Sequence, residues 1–148
     1  MTTITVTIKN ADEIKEAFKQ APIKIINNLN KAINHILVKV TNDAVRLAPH
    51  GKLGGGNLKQ SIRNYMTGPL SGVVIVGASY GLYVHEGTRP HVITIVNKKV
   101  LANKRTGQIF GTRVNHPGTM GIPFLSGAVN ENMGFIDNEF AKVTENIL

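Results

Sequence analysis

Apolar and polar residues alternate strictly from Thr2 to Lys9, with Ile4, Val6 and Ile8 on one face and Thr3, Thr5 and Thr7 on the other. β-branched residues at period two specify a half-buried strand. The period then changes. Asn10 opens a short helix with Glu13 as its capping-box partner and Ile14, Ala17, Phe18 and Ala21 as its apolar stripe. Pro22 suits the first turn of a second helix. Its apolar positions, Ile23, Ile26, Leu29, Ile33, Leu37, Val40, Ala44 and Leu47, recur every three or four residues and predict one buried face. The opposite face carries Lys24, Asn28, Lys31, His35, Lys39 and Asn42. A helix of ~25 residues spans ~38 Å and forms the spine of so small a domain. Pro49 ends it, because the residue before a proline is pushed out of the helical region.

Beyond Pro49 the pattern shortens. His50 to Asn57 reads as a glycine-rich loop, and Asn57 as the cap of a helical turn running through Leu58 and Ile62. Residues 62–66 and 72–79 flank Gly68-Pro69 and predict a hairpin. Tyr80 to Gly87 fits one helical turn. His91 to Val96 alternates as a strand, residues 97–110 read as a basic loop or hairpin tip, and Gln108 to Val114 as the return strand. Asn115 to Thr119 carries turn residues. Pro123 fits the start of a last helix whose apolar face runs from Phe124 and Leu125 to Phe140, Val143 and Ile147, with Gly134 as the expected kink. The expected organisation is one α+β domain over 1–148. It has a strand at 2–9, helices at 10–48, a loop at 49–57, an antiparallel sheet with loops at 58–121 and a helix at 122–148.

Composition narrows the class. The 148 residues include no cysteine, so neither a disulfide framework nor a thiol nucleophile is available; this fits a reducing compartment. The N-terminus lacks the basic and apolar regions of a signal peptide, and no apolar run reaches the ~18 residues of a membrane span. The net charge of +8 is unevenly placed: +3 over residues 1–50, +8 over 51–121, where Glu86 is the only acid, and −3 over 122–148. A basic middle and an acidic tail suit either polyanion contact or contact between copies, against the plain alternative of solvated lysine-rich loops.

Catalytic patterns are missing. His85, His91 and His116 could meet in space, yet no pair of ligands has the helical spacing that fixes a metal site. Gly51-Lys52 lacks the order of a phosphate-binding loop, and no serine sits in a nucleophile elbow. With one acid between 51 and 121 a paired-carboxylate site is not expected there. Eight aromatics, none interleaved with Lys or Arg, give no stacking platform for single-stranded nucleic acid. The chain is read as a non-enzyme with no metal and no cofactor.

Four segments in order carry a family resemblance: Ala48-Pro49 with Gly54 to Ile62; Val76-Gly77 with Tyr80 to Thr88; Arg89 to Ile93 with Lys98 to Leu101; and Val114 to Leu125, closing on Ala128. Together they resemble the small tail-completion, or neck, proteins of long-tailed bacteriophages over about residues 45–130. Tyr83, Gly87 and Thr88 match one signature segment, and His116, Pro117, Gly118, Pro123, Phe124 and Leu125 the other. The family's Thr-Gly-x-Leu-Arg is replaced here by Gly56-Asn57-Leu58-Lys59 behind an enlarged glycine loop, and His85 stands where an acidic or other polar residue is usual. The resemblance implies helices packed on an antiparallel sheet and assembly as a homo-oligomeric ring, a hexamer, around the DNA channel at the head–tail junction of the virion. Such a ring is assembled in the host cytoplasm, with head-completion or connector proteins and tail-terminator or tail-tube proteins as partners, and without membrane contact. Lys98, Lys99, Lys104 and Arg105 are then candidates for loose contact with double-stranded DNA or a partner, and Glu139 and Glu145 for contact between subunits. The alternatives are a tail terminator capping the tube, and a non-specific DNA-binding protein with no virion role.

Overall fold

The computed structural model describes residues 23–51, 56–96, 99–103 and 105–145. The strand expected at 2–9 and the short helix after it lie outside the described residues, as do Gly54 and Gly55 of the glycine-rich loop. The long helix, α1, runs over Ile23–Leu47. Its buried face is Ala32, Ile33, Ile36, Leu37, Val40, Thr41 and Ala44, so the expected stripe holds in its C-terminal two-thirds. Ile23, assigned to the same stripe, is 78% exposed, because no described element covers the first turn of the helix.

Two units close on that face. Strands β1 (Ile62–Gly68) and β2 (Ser71–Val76) form an antiparallel hairpin, entered through the helical turn α2 (Asn57–Ser61). Gly56, not Asn57, occupies the cap position, and no side chain bonds there. The hairpin buries Ile62, Val74 and Val76 against α1. Two polar contacts fix its placement: Asn64 Nδ2 donates to Thr41 Oγ1 at 2.9 Å, and Asn30 Oδ1 accepts from the Leu70 amide at 2.8 Å. The second holds the turn, where Leu70 has φ +56°, a strained conformation for a branched residue.

The second unit is the helical pair α4 (Phe124–Glu131) and α5 (Met133–Glu145), which packs along α1. Phe124 and Leu125 are each 1% exposed and seal the core between α1 and the hairpin. Ala44 and Ala128 are both fully buried where these elements meet. Such small residues let two helix backbones approach closely.

The kink expected near Gly134 is a break two residues earlier, at Asn132, between α4 and α5. Asn132 is buried, and its side-chain amide donates both to the Ala128 carbonyl and to Asp43 Oδ2, each at 2.8 Å. The break is therefore fixed by a side chain latched onto α1, not by the weak helix propensity of a glycine.

The α+β class holds, but the sheet is not one continuous surface. Among the described residues, eight strands form four two-stranded antiparallel pieces, of which β1–β2 underlies the helices. The remaining six strands build a separate ribbon, and Asn115 and His116, expected in a turn, are paired strand residues within it.

Charge latches the helices. Asp43 accepts from Lys39 at 2.7 Å, from Arg46 at 3.2 Å and from Asn132, while Arg46 also reaches Glu131 on α4. The Lys39 ammonium, with Asn132 and Arg46 beside it, holds the Asp43 carboxyl far below the ordinary carboxylate range. Lys142, followed by His35, lowers Glu139 in the same direction. A carboxyl that titrates lower folded than unfolded adds stability above its unfolded value near ~4, and that stability is lost as the pH falls through this range. Stability is expected to drop on acidification from about pH 5 towards pH 2. Asp43→Asn should flatten part of that slope in urea melts taken across the interval. An identical slope in the variant would mean that the latch does not contribute.

Candidate functional site

The conspicuous feature outside the core is a long β-arm. It leaves the body at α3 (Gly81–Glu86), runs out through β3 (Gly87–Thr88), β4 (His91–Thr94) and β5 (Leu101–Ala102), and turns. It returns through β6 (Ile109–Gly111), β7 (Arg113–His116) and β8 (Thr119–Met120), then enters α4. β3 pairs with β8, β4 with β7 and β5 with β6, so the three pieces are stations along one ribbon. The register is the same at Gly87↔Met120, Thr88↔Thr119 and His91↔His116 and holds to Thr94↔Arg113; beyond it the outgoing strand carries five extra residues before Leu101↔Gly111, and a further shift falls between Leu101 and Ala102. The hairpin expected at 97–110 is the outer end of a much longer one. At the turn, Asn103 donates to the Gln108 carbonyl at 2.9 Å, and its side chain accepts from the Arg105 amide at 3.0 Å.

The two signature segments of the sequence meet at the root of this arm. Gly87 (φ +82°) and Gly118 (φ +89°) adopt left-handed conformations in close contact with the opposing strand. A Cβ on Gly87 would lie 2.4 Å from the Thr119 carbonyl oxygen, and one on Gly118 would lie 2.3 Å from that of Thr88. Pro90 and Pro117 interrupt the ladder opposite one another, since neither has an amide to donate. Beyond them His91 and His116 stack with ring centroids 5.0 Å apart. His116 Nδ1 accepts from the Gly118 amide at 3.1 Å, which places its proton on Nε2. His91 Nδ1 donates to the Arg89 carbonyl at 2.9 Å.

The Ile122 amide ties the returning strand to the Val84 carbonyl at 2.8 Å. Phe124 and Leu125 then drop into the core, with Pro123 at the cap of α4. His85 lies edge-on to Phe124 at a centroid distance of 5.3 Å, donates from Nδ1 to Glu86 Oε1 at 2.8 Å, and leaves its buried Nε2 unpartnered. Thr88 is half-buried, whereas Tyr83 is 60% exposed.

The sequence-predicted contact residues divide. Lys99 and Arg105 are exposed on the outer arm, while Lys98 and Lys104 lie outside the described residues. Arg89 and Arg113, not singled out from the sequence, add exposed cations to the same ribbon, so residues 87–122 hold six Lys or Arg and no acid. Glu139 is buried in the groove between α1 and α5, 3.1 Å from His35 Nδ1 and 2.5 Å from Lys142 Nζ of its own chain. Glu145 is the last residue of α5, and its side chain lies outside the described residues.

Exposed apolar residues also went unread from the sequence as surface features. Val96 is 89% exposed, Ile109 67% and Met120 92%, joined by Val92, Val100 and Phe110. Alternation over His91 to Val96 signalled a strand but not that both of its faces stay in water. Among the described residues no group of three His, Asp or Glu is placed to hold a metal ion. No described helix is long and apolar enough to cross a membrane.

The glycine contacts at the root separate two kinds of substitution. Gly118→Ala adds a collision with backbone to the ~1–2 kcal/mol cost of a left-handed residue, whereas Gly107→Ala at the tip meets open space and costs only the latter. Hydrogen exchange of the amides at 88–94 and 113–119 is expected to accelerate strongly in Gly118→Ala and little in Gly107→Ala, with α1 protection retained in both. Equal effects would show that the root is not tightly packed.

No protein-family model, no curated protein sequence and no solved structure matches this chain.

Proposed function

We propose that this chain is a structural subunit of the bacteriophage neck, a tail-completion protein that assembles as a homo-oligomeric ring around the DNA channel and joins tail to head. The observation that carries the reading is a basic, acid-free β-arm projecting from a small helical body, in a chain whose residues 45–130 resemble that family. The signature glycines and prolines give the resemblance a physical content, because they are the residues that form the arm root.

A conduit has to let DNA pass. Sequence-specific base contacts would arrest it, whereas phosphate contacts by lysine and arginine are weak, salt-screened and independent of sequence. The exposed Lys99 and Arg105, and Lys98 and Lys104 next to them in sequence, supply that chemistry at the outer end of the arm. A ring also suits the use of one small domain many times, since closed rings arise when one surface of a copy meets a different surface of the next.

Light scattering on purified protein is expected to give a closed oligomer of defined size, and electron microscopy of intact particles to place it at the head–tail junction. A monomer that binds duplex DNA tightly would instead support a DNA-binding protein without virion role, and a ring at the tube end of isolated tails would support a tail terminator. Replacing Lys98, Lys99, Lys104 and Arg105 together by glutamine should weaken duplex binding equally for all sequences. It should also reduce the slope of log K against log salt by up to about 4, one unit for each lost phosphate contact. An unchanged slope would remove these residues from the channel.

A further inference from the structure

An isolated two-stranded ribbon is marginally stable in water, and this one has little to lean on. All four residues of β4 are exposed, so apolar side chains on both faces of the strand meet solvent. Beyond the packing of β3 against α3 at its root, the arm's main packing partners are its own strands, β4 with β7, β5 with β6 and β6 with β7. Both outer edges of the ribbon are unpaired backbone among the described residues. A projecting element of this kind calls for a cover.

The same chain exposes further apolar residues at the arm root. Leu82 and Tyr83 on α3 are exposed, as are Met120, which pairs with Gly87, and Ile122, whose amide bonds to Val84 of α3; the exposed Glu86 ends that helix. The ribbon keeps one register from Gly87 to Thr94, and the outer arm beyond it exposes Val96, Val100, Ile109 and Phe110.

We propose that the outer arm of one copy lies across the root patch of the next copy, so that subunits join head to tail. Charge favours a second copy as the occupant. All nine acids of the chain lie outside residues 87–122, while six of its 17 cations lie within them, so an arm meeting another arm sets +6 against +6, whereas the rest of the chain offers all of the acids and a net charge of only +2. Area favours it too. The ribbon is up to ~50 Å long by strand rise, and a standard interface needs about 800 Å² from each partner. Each copy contributes twice, once through its arm and once through its root. Because the two surfaces differ, the contact is heterologous and propagates until it closes. The inference rests on the ring reading and specifies the joint.

The absence of native cysteine allows a clean cross-linking test in the full-length protein. Phe110→Cys or Ile109→Cys on the arm is mixed with Tyr83→Cys or Met120→Cys at the root, and each mixture is oxidised. Arm–root dimers are expected in at least one mixture, with little dimer from any variant alone, and the matching double variant should form a covalent ladder ending at the ring size. Arm–arm dimers from Phe110→Cys alone, or intact oligomers without arm–root links in any of the four mixtures, would overturn the head-to-tail joint and leave the ring standing. A chain that stays monomeric in light scattering would overturn the ring as well. Phe110→Asp should weaken self-association by about 30-fold or more while leaving the thermal transition of the helical body in place; unaltered association would remove the arm from the joint.

Discussion

The apolar stripe of α1 must be covered on a helix otherwise faced with lysine and asparagine, and the rest of the body is arranged by that requirement. One hairpin and one helical pair divide the stripe between them. Phe124 and Leu125 close the space where the three meet, and Ala44 and Ala128 allow the helices to draw together. Burial at this seam is non-directional, so it does not by itself fix how the pieces are turned. Orientation comes from a few polar contacts: Thr41 with Asn64, Asn30 with the Leu70 amide, and Asp43 with Asn132. Each spans two elements, and each would leave a partly or fully buried polar group without a partner if the elements slid.

The core also anchors an element that it does not cover. The arm enters and leaves the body within a few residues of the seam, through α3 on one side and α4 on the other. Gly87 and Gly118 let its two strands approach at the root more closely than any side chain would allow. The paired prolines beyond them end that tight segment before the stacked histidines begin the exposed part.

Much of the body was legible along the chain. Three-and-four spacing found α1, a short apolar run found β2, the Gly68-Pro69 turn before it placed β1 as its hairpin partner, and period-two alternation found β4. The errors share a cause. Ile23 was assigned to the core because periodicity records which side a residue faces and not how far the neighbouring elements reach. A kink was expected near Gly134 from glycine propensity, but the break there is set by Asn132 through bonds to residues four and 89 positions away. Glu139 was expected to face outward as part of an acidic tail, yet its partners are His35 and Lys142 of the same chain.

The candidate site shows the same division. The signature residues Gly87, Thr88, His116 and Gly118 could be found from the sequence as turn and strand residues, but not as partners. The sequence by itself determined the helical and extended periods, the basic character of the middle segment and the positions where only glycine or proline suffices. These depend on local sterics and on residue type. The tertiary structure alone decided that two distant strands form one projecting ribbon, which apolar residues stay in water, and which acids are consumed within the subunit. Those outcomes depend on the pairing of residues far apart in the chain, which one-dimensional periodicity does not encode.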